Sequence, residues 1–137
     1  MGVFVELGRP ALGTRFVDVE RVVKRFRVHG FPVIPDNPVA ELIEDPLTGA
    51  LKPEILQEKA MSVLVEFILP DTAVKELLGM INELSDRVET VFNVSVALRA
   101  DQDGRSPFRD LFGPGIFSLP NGKVNLGLAE GIGKKDK

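Results

Sequence analysis

Apolar residues recur along the chain with two distinct periods, and each period predicts a different element. Val3-Phe4-Val5-Glu6-Leu7 is short, β-branched and aromatic, and Gly8-Arg9-Pro10 closes it, which reads as a strand. Phe16, Val19, Val22, Val23 and Phe26 then recur at spacings of three and four, predicting a helix over 15–28 with Thr14 as its cap. Glu20 and Lys24 form a correctly ordered i,i+4 pair on that helix. Gly30 ends it by supplying a backbone conformation that residues with a Cβ avoid. Val and Phe also suit strands, so the pattern leaves a strand over 15–28 open.

Three prolines in Phe31–Pro38 remove the N–H groups that a central strand donates, so this segment is an extended arm or a sheet edge. Asp45-Pro46 and Thr48-Gly49 are turn signals, which make 39–52 a loose hairpin or an irregular excursion. Pro53 suits the first turn of a short helix through about Ala60. The middle of the chain is clearer. Ser62–Leu69 is a strand stopped by Pro70, and Asp71 or Thr72 caps a helix to about Glu89. Val74, Leu77, Leu78, Ile81, Leu84 and Val88 form its apolar stripe, and Glu83 can pair with Arg87 off that stripe. Val91–Arg99 follows as a second strand, completing a β–α–β unit with a right-handed crossover. Asn121-Gly122, flanked by Ile116–Leu119 and Val124–Leu128, predicts a type I′ hairpin.

These elements assemble into an α+β sandwich of ferredoxin-like kind. A mixed or antiparallel sheet carries two main helices on one face and ends in a C-terminal β-hairpin. The domain covers 1–132, and 133–137 form a flexible basic tail. The likeness is architectural and carries no function.

Strand alternation sorts the sheet into two faces. Val63, Val65, Phe67 and Leu69 share one side with Phe92, Val94, Val96 and Leu98, and the helix over 72–89 covers it. The opposite side mixes apolar, small and polar groups: Leu64, Glu66, Ile68, Asn93, Ser95 and Ala97. A face of this kind is covered by more chain, a subunit or a ligand. These six residues, with Phe31 and Val33 of the Pro-rich arm, are the candidate interface. The leading functional expectation is a non-catalytic association module, a homo-oligomer or an accessory or regulatory subunit. Its partner is a second copy or another protein.

Composition narrows the chemistry. The 137 residues contain no Cys and a single His, so disulfides, thiolate metal sites and cysteine nucleophiles are excluded, and no metal ligand set or cofactor is expected. No run approaches the roughly 20 apolar residues of a membrane helix, and the first residues lack a signal-peptide pattern, so a soluble, cytoplasmic protein without membrane contact is expected. Seventeen basic against twenty acidic residues give a net charge of −3, which argues against a nucleic-acid binder. Only 15–29 is locally basic, with Arg15, Arg21, Lys24, Arg25 and Arg27. That is a solvated helix face in one reading and a surface for an acidic or phosphate-bearing partner in the other.

No pattern of catalytic residues stands out. Asp101-Gln-Asp103-Gly104 starts like a calcium loop, but Arg105 takes a ligand position and no closing glutamate follows. Gly127–Lys134 has the wrong spacing for a phosphate loop and lacks its Ser or Thr. His29 beside Gly30 suits a helix C-terminus, where it can bond the last carbonyls. An enzyme would have to use His29, Asp36 or Glu66 as acid or base. Glu66, alone in an apolar strand, calls for a partner such as Arg99. The remaining candidate is an anion site: Arg99, Arg105, Ser106 and Arg109 lie close in sequence after a strand, and guanidinium forks suit carboxylates and phosphates. The second functional expectation is therefore a domain that senses a small anionic metabolite through this loop, at a subunit boundary.

Overall fold

A computed structural model describes residues 1–10, 12–105, 107–113 and 124–126. Among these residues four strands form the main sheet: β1 (Gly2–Leu7), β2 (Val63–Ile68), β3 (Phe92–Ala97) and β4 (Val124–Leu126). The helices are α1 (Phe16–Val28), α2 (Val74–Ser85) and the short α3 (Phe108–Phe112). β1 is central and antiparallel to both neighbours, β4 is antiparallel to β3, and the order is β2-β1-β3-β4. β2 and β3 therefore run parallel to each other with β1 between them, and α2 connects them.

The α+β class is as the pattern predicts, and of the mixed or antiparallel sheet it allows, the pairing is antiparallel. The connectivity is not that of a ferredoxin-like chain, which runs β–α–β–β–α–β. Among the described residues the sheet strands and the two main helices run β–α–β–α–β–β. The difference arises because the long stretch between α1 and β2 does not add a strand to the main sheet. It folds into short ladders instead: Ile43–Asp45 pairs with Ala50–Leu51, and Lys59–Ala60 pairs with Thr14–Arg15. The flank Ile116–Leu119, the turn Asn121-Gly122 and the tail 133–137 lie outside the described residues.

Alternation along the strands builds the core. Val3, Val5 and Leu7 of β1, Val65 and Phe67 of β2, and Val94 and Val96 of β3 are buried in one cluster with Val19, Val22 and Phe26 of α1 and Leu77, Met80 and Leu84 of α2. The Phe26 ring stacks on Phe67 with centroids 4.0 Å apart, so α1 packs directly on β2.

The helix ends show which local signals held. Gly30 (φ +83°) completes a paired cap: its N–H donates to the Arg27 carbonyl and the Phe31 N–H to the Phe26 carbonyl. Thr14 does not cap α1, because it is drawn into the short ladder with Ala60 and its hydroxyl donates to the Arg15 carbonyl. The first N–H groups of α1 are satisfied from a distant segment instead: Phe16 donates to Glu58 and Val17 to Leu56. Pro53 starts only a single turn, Pro53–Ile55, and not a helix to Ala60. α2 stops at Ser85, short of Glu89, and is preceded by the turn Asp71–Ala73, where the Asp71 carboxylate accepts from the amino terminus at 3.0 Å. The Pro-rich arm behaves as an edge: Val33 bridges to Phe67, and the Ile34 N–H donates to the Glu66 carbonyl at 3.0 Å.

Candidate functional site

The C-terminal end of β1, the start of α1 and the segment before β2 together enclose an open cleft of about 740 Å³. One wall is the loop from Gly8 to Arg15. It is clamped at several points: the Gly8 N–H donates to the Val91 carbonyl, the Gly13 N–H to the Gly8 carbonyl, and the Thr90 hydroxyl to the Gly13 carbonyl at 2.6 Å. Gly13 has φ +69°, and a Cβ there would sit 2.9 Å from the Ala60 carbonyl oxygen, so the loop lies against the opposite wall with no room for a side chain.

Charge in the cleft is unevenly distributed. Asp18 is buried, and its carboxylate accepts from Arg21 at 2.7 Å and from the Glu89 N–H at 3.0 Å. Arg21 also lies 3.7 Å from the Glu89 carboxylate. Both acids of the cleft are thus engaged by one arginine. Among the described residues, the cations lining it are Arg9, Arg15 and Lys59. Arg9 has Glu6 at 3.5 Å. Arg15 and Lys59 stand opposite each other in the short ladder, and neither takes part in an ion pair among the described residues. Leu12 and Met61, 70% and 91% exposed, line the same cleft.

The rest of the basic stretch is held by contacts within the chain, with Arg27 donating to the Leu47 carbonyl. Lys24 pairs with Glu20 at 2.9 Å, and Arg25 pairs with Glu83 of α2 at 2.6 Å. Glu83 therefore bridges the helices and does not pair with Arg87. His29 caps α1 through its backbone, and its Nδ1 contacts the Glu76 carboxylate of α2.

On the outward side of the sheet, Leu64 and Ile68 are exposed, Ala97 is exposed, Glu66 and Asn93 are half-buried and Ser95 is buried. The middle of this face is thus more sheltered than alternation alone implies, since Phe4, paired with both Glu66 and Ser95, is itself half-buried. Glu66 accepts from the Asn37 side-chain amide at 3.2 Å, so its partner is the arm and not Arg99. Phe31 is half-buried, and Val33 is buried against β2.

Asp101 organises the start of the arginine loop. The Asp101 carboxylate accepts from the Asp103 and Arg105 N–H groups, and the Asp101 N–H donates to the Arg105 carbonyl. Arg99 and Arg105 are exposed, and neither lines the cleft. Ser106 and the side chain of Arg109 lie outside the described residues. Among the described residues no group of three or more His, Asp and Glu side chains could hold a metal, and no helix is long and apolar enough to cross a membrane.

Sequence reasoning missed Arg15 and Lys59 as a pair. The available signal was the spacing of Gly8 and Gly13 between a strand and a helix, which marks a tight loop. Comparison with known protein families, curated proteins and solved structures finds no match.

Proposed function

We propose that the chain is a non-catalytic association module, a homo-oligomeric or accessory subunit that works through protein–protein contacts on the outward side of its sheet. The observation that carries this reading is the exposure of two large apolar side chains, Leu64 (39%) and Ile68 (68%), on the outward face of β2. The acids beside them are already engaged. Glu66 accepts from Asn37, and Glu6 accepts from Asn93 at 3.1 Å and Ser62 at 3.2 Å. A two-fold contact brings the same patch of each subunit together, and it tolerates acids whose hydrogen bonds are satisfied within each copy. The outer edge of β2 is occupied by the arm at Val33 and Ile34, which favours docking by side chains over addition of a strand.

The test is native mass. Light scattering at tens of micromolar should give a species larger than 15.0 kDa, and Ile68→Glu should return it to the monomer mass. A native chain that scatters as a 15.0 kDa monomer overturns self-association, as does an Ile68→Glu variant that keeps the larger mass.

A further inference from the structure

We propose that the cleft beside the Gly8–Arg15 loop is a binding site for a small organic anion, a phosphate or carboxylate head carrying a short apolar tail. Arg15 and Lys59 are directly opposed across an antiparallel ladder. Like charges in that position repel, and the arrangement is destabilising unless something negative lies between or beside them. On α1, Arg21 bonds to Asp18, Lys24 to Glu20 and Arg25 to Glu83, while Arg27 donates to the Leu47 carbonyl. No such acid serves Arg15 or Lys59 among the described residues, and the two acids that line the cleft are held by Arg21.

The shape argues for a small molecule. The cleft, at about 740 Å³, lies within the range of small-molecule sites. Its floor is preorganised, because the Gly13 carbonyl is held by Thr90 and the loop is closed by the Gly13-to-Gly8 bond. A wall tied at Gly8 and Gly13 loses less freedom at those points when a ligand arrives. Leu12 and Met61 supply the apolar part of the lining beside the cations, so the matching ligand is amphipathic.

The experiment uses n-hexyl phosphate, inorganic phosphate and n-hexanol as probes in calorimetric titration and thermal unfolding of the full chain. Hexyl phosphate should bind and raise Tm, and it should bind at least about tenfold more tightly than either half-ligand, because both the charge and the tail contribute. The decisive variant is Lys59→Glu. It replaces a repulsive cross-strand pair with an attractive one, so it should fold with an unchanged or higher Tm while hexyl phosphate affinity falls at least about tenfold. Retained affinity in Lys59→Glu overturns the site, as does the absence of any hexyl phosphate binding at millimolar concentration. Sedimentation of the native chain with phosphatidylglycerol vesicles, lost in Lys59→Glu and without hexyl phosphate binding, would assign the same cations to a membrane surface and also overturn it. Native mass is not a readout here, so the outcome is independent of the self-association test.

Discussion

Two glycines with nearly the same backbone angle but different surroundings give a controlled measure of how tightly the cleft loop is packed. Gly13 has φ +69° and Gly30 has φ +83°, both in the left-handed region. An alanine at either position meets a backbone penalty of roughly 1–2 kcal/mol, offset in part by the lower entropy of the unfolded chain. At Gly30 nothing lies within 4 Å of the added Cβ, so Gly30→Ala should cost about 1 kcal/mol in total. At Gly13 the Cβ lands 2.9 Å from the Ala60 carbonyl oxygen, which belongs to the backbone and cannot rotate away. Relieving that contact requires the loop and the Lys59–Ala60 segment to separate, an overpacking strain of about 1–3 kcal/mol beyond the backbone penalty. Each kcal/mol lowers Tm by about 4 °C in a chain of this size. Gly30→Ala should therefore melt about 4 °C below the native protein, and Gly13→Ala about 8–16 °C below it. Thermal and urea unfolding followed by circular dichroism measure both, with an unchanged urea slope confirming that the comparison is one of stability. Equal losses in the two variants would refute the close approach of the loop to Ala60.

Three further outcomes test other parts of the structure. Phe67→Ala removes a buried ring stacked on Phe26 and should cost about 3–5 kcal/mol in denaturant titration, far more than removal of the exposed Leu47 side chain. Asp18→Ala leaves the Glu89 N–H and Arg21 without their acceptor and should cost about 1–3 kcal/mol; a neutral result would show that these bonds do not tie α1 to the segment after α2. The Thr48 hydroxyl and the Leu47 N–H hold the Asp45 carboxyl below its ordinary 3.8. A depressed folded value contributes stability above the unfolded value, and this is lost as pH falls through the folded one. Thr48→Ala should accordingly move the Asp45 midpoint upward in an NMR titration, and an unmoved midpoint would contradict that hydrogen bond.

Local pattern determined the elements with a strong repeat. The period of Phe16, Val19, Val22, Val23 and Phe26 pointed to α1 because a stripe of that spacing lies along one side of a helix, and the structure closed the strand alternative that the Val and Phe content left open. The alternation in Val63–Ile68 and Phe92–Ala97 likewise specified two strands and their buried sides. Gly30 was legible as a helix stop because its requirement is a property of one residue's own backbone. The prolines of the arm were legible for the same kind of reason, since a missing N–H is a covalent fact wherever the chain goes.

Partnerships across the chain were decided by tertiary structure alone. Thr14 is a good cap by composition, yet Glu58 and Leu56 supply acceptors from another segment and the side chain does not cap the helix. Glu83 has Arg87 at the right helical spacing, but Arg25 of α1 reaches it once the helices pack. Glu66 has no neighbour in sequence that names Asn37 as its donor. The order of strands and the opposition of Arg15 to Lys59 are of the same kind, because register between distant segments depends on which apolar faces meet, and the side chains outside the core are carried along with it. The cleft exists because that register places two cations and a loop tied at Gly8 and Gly13 around one space. No single stretch of the chain contains enough of it to be read.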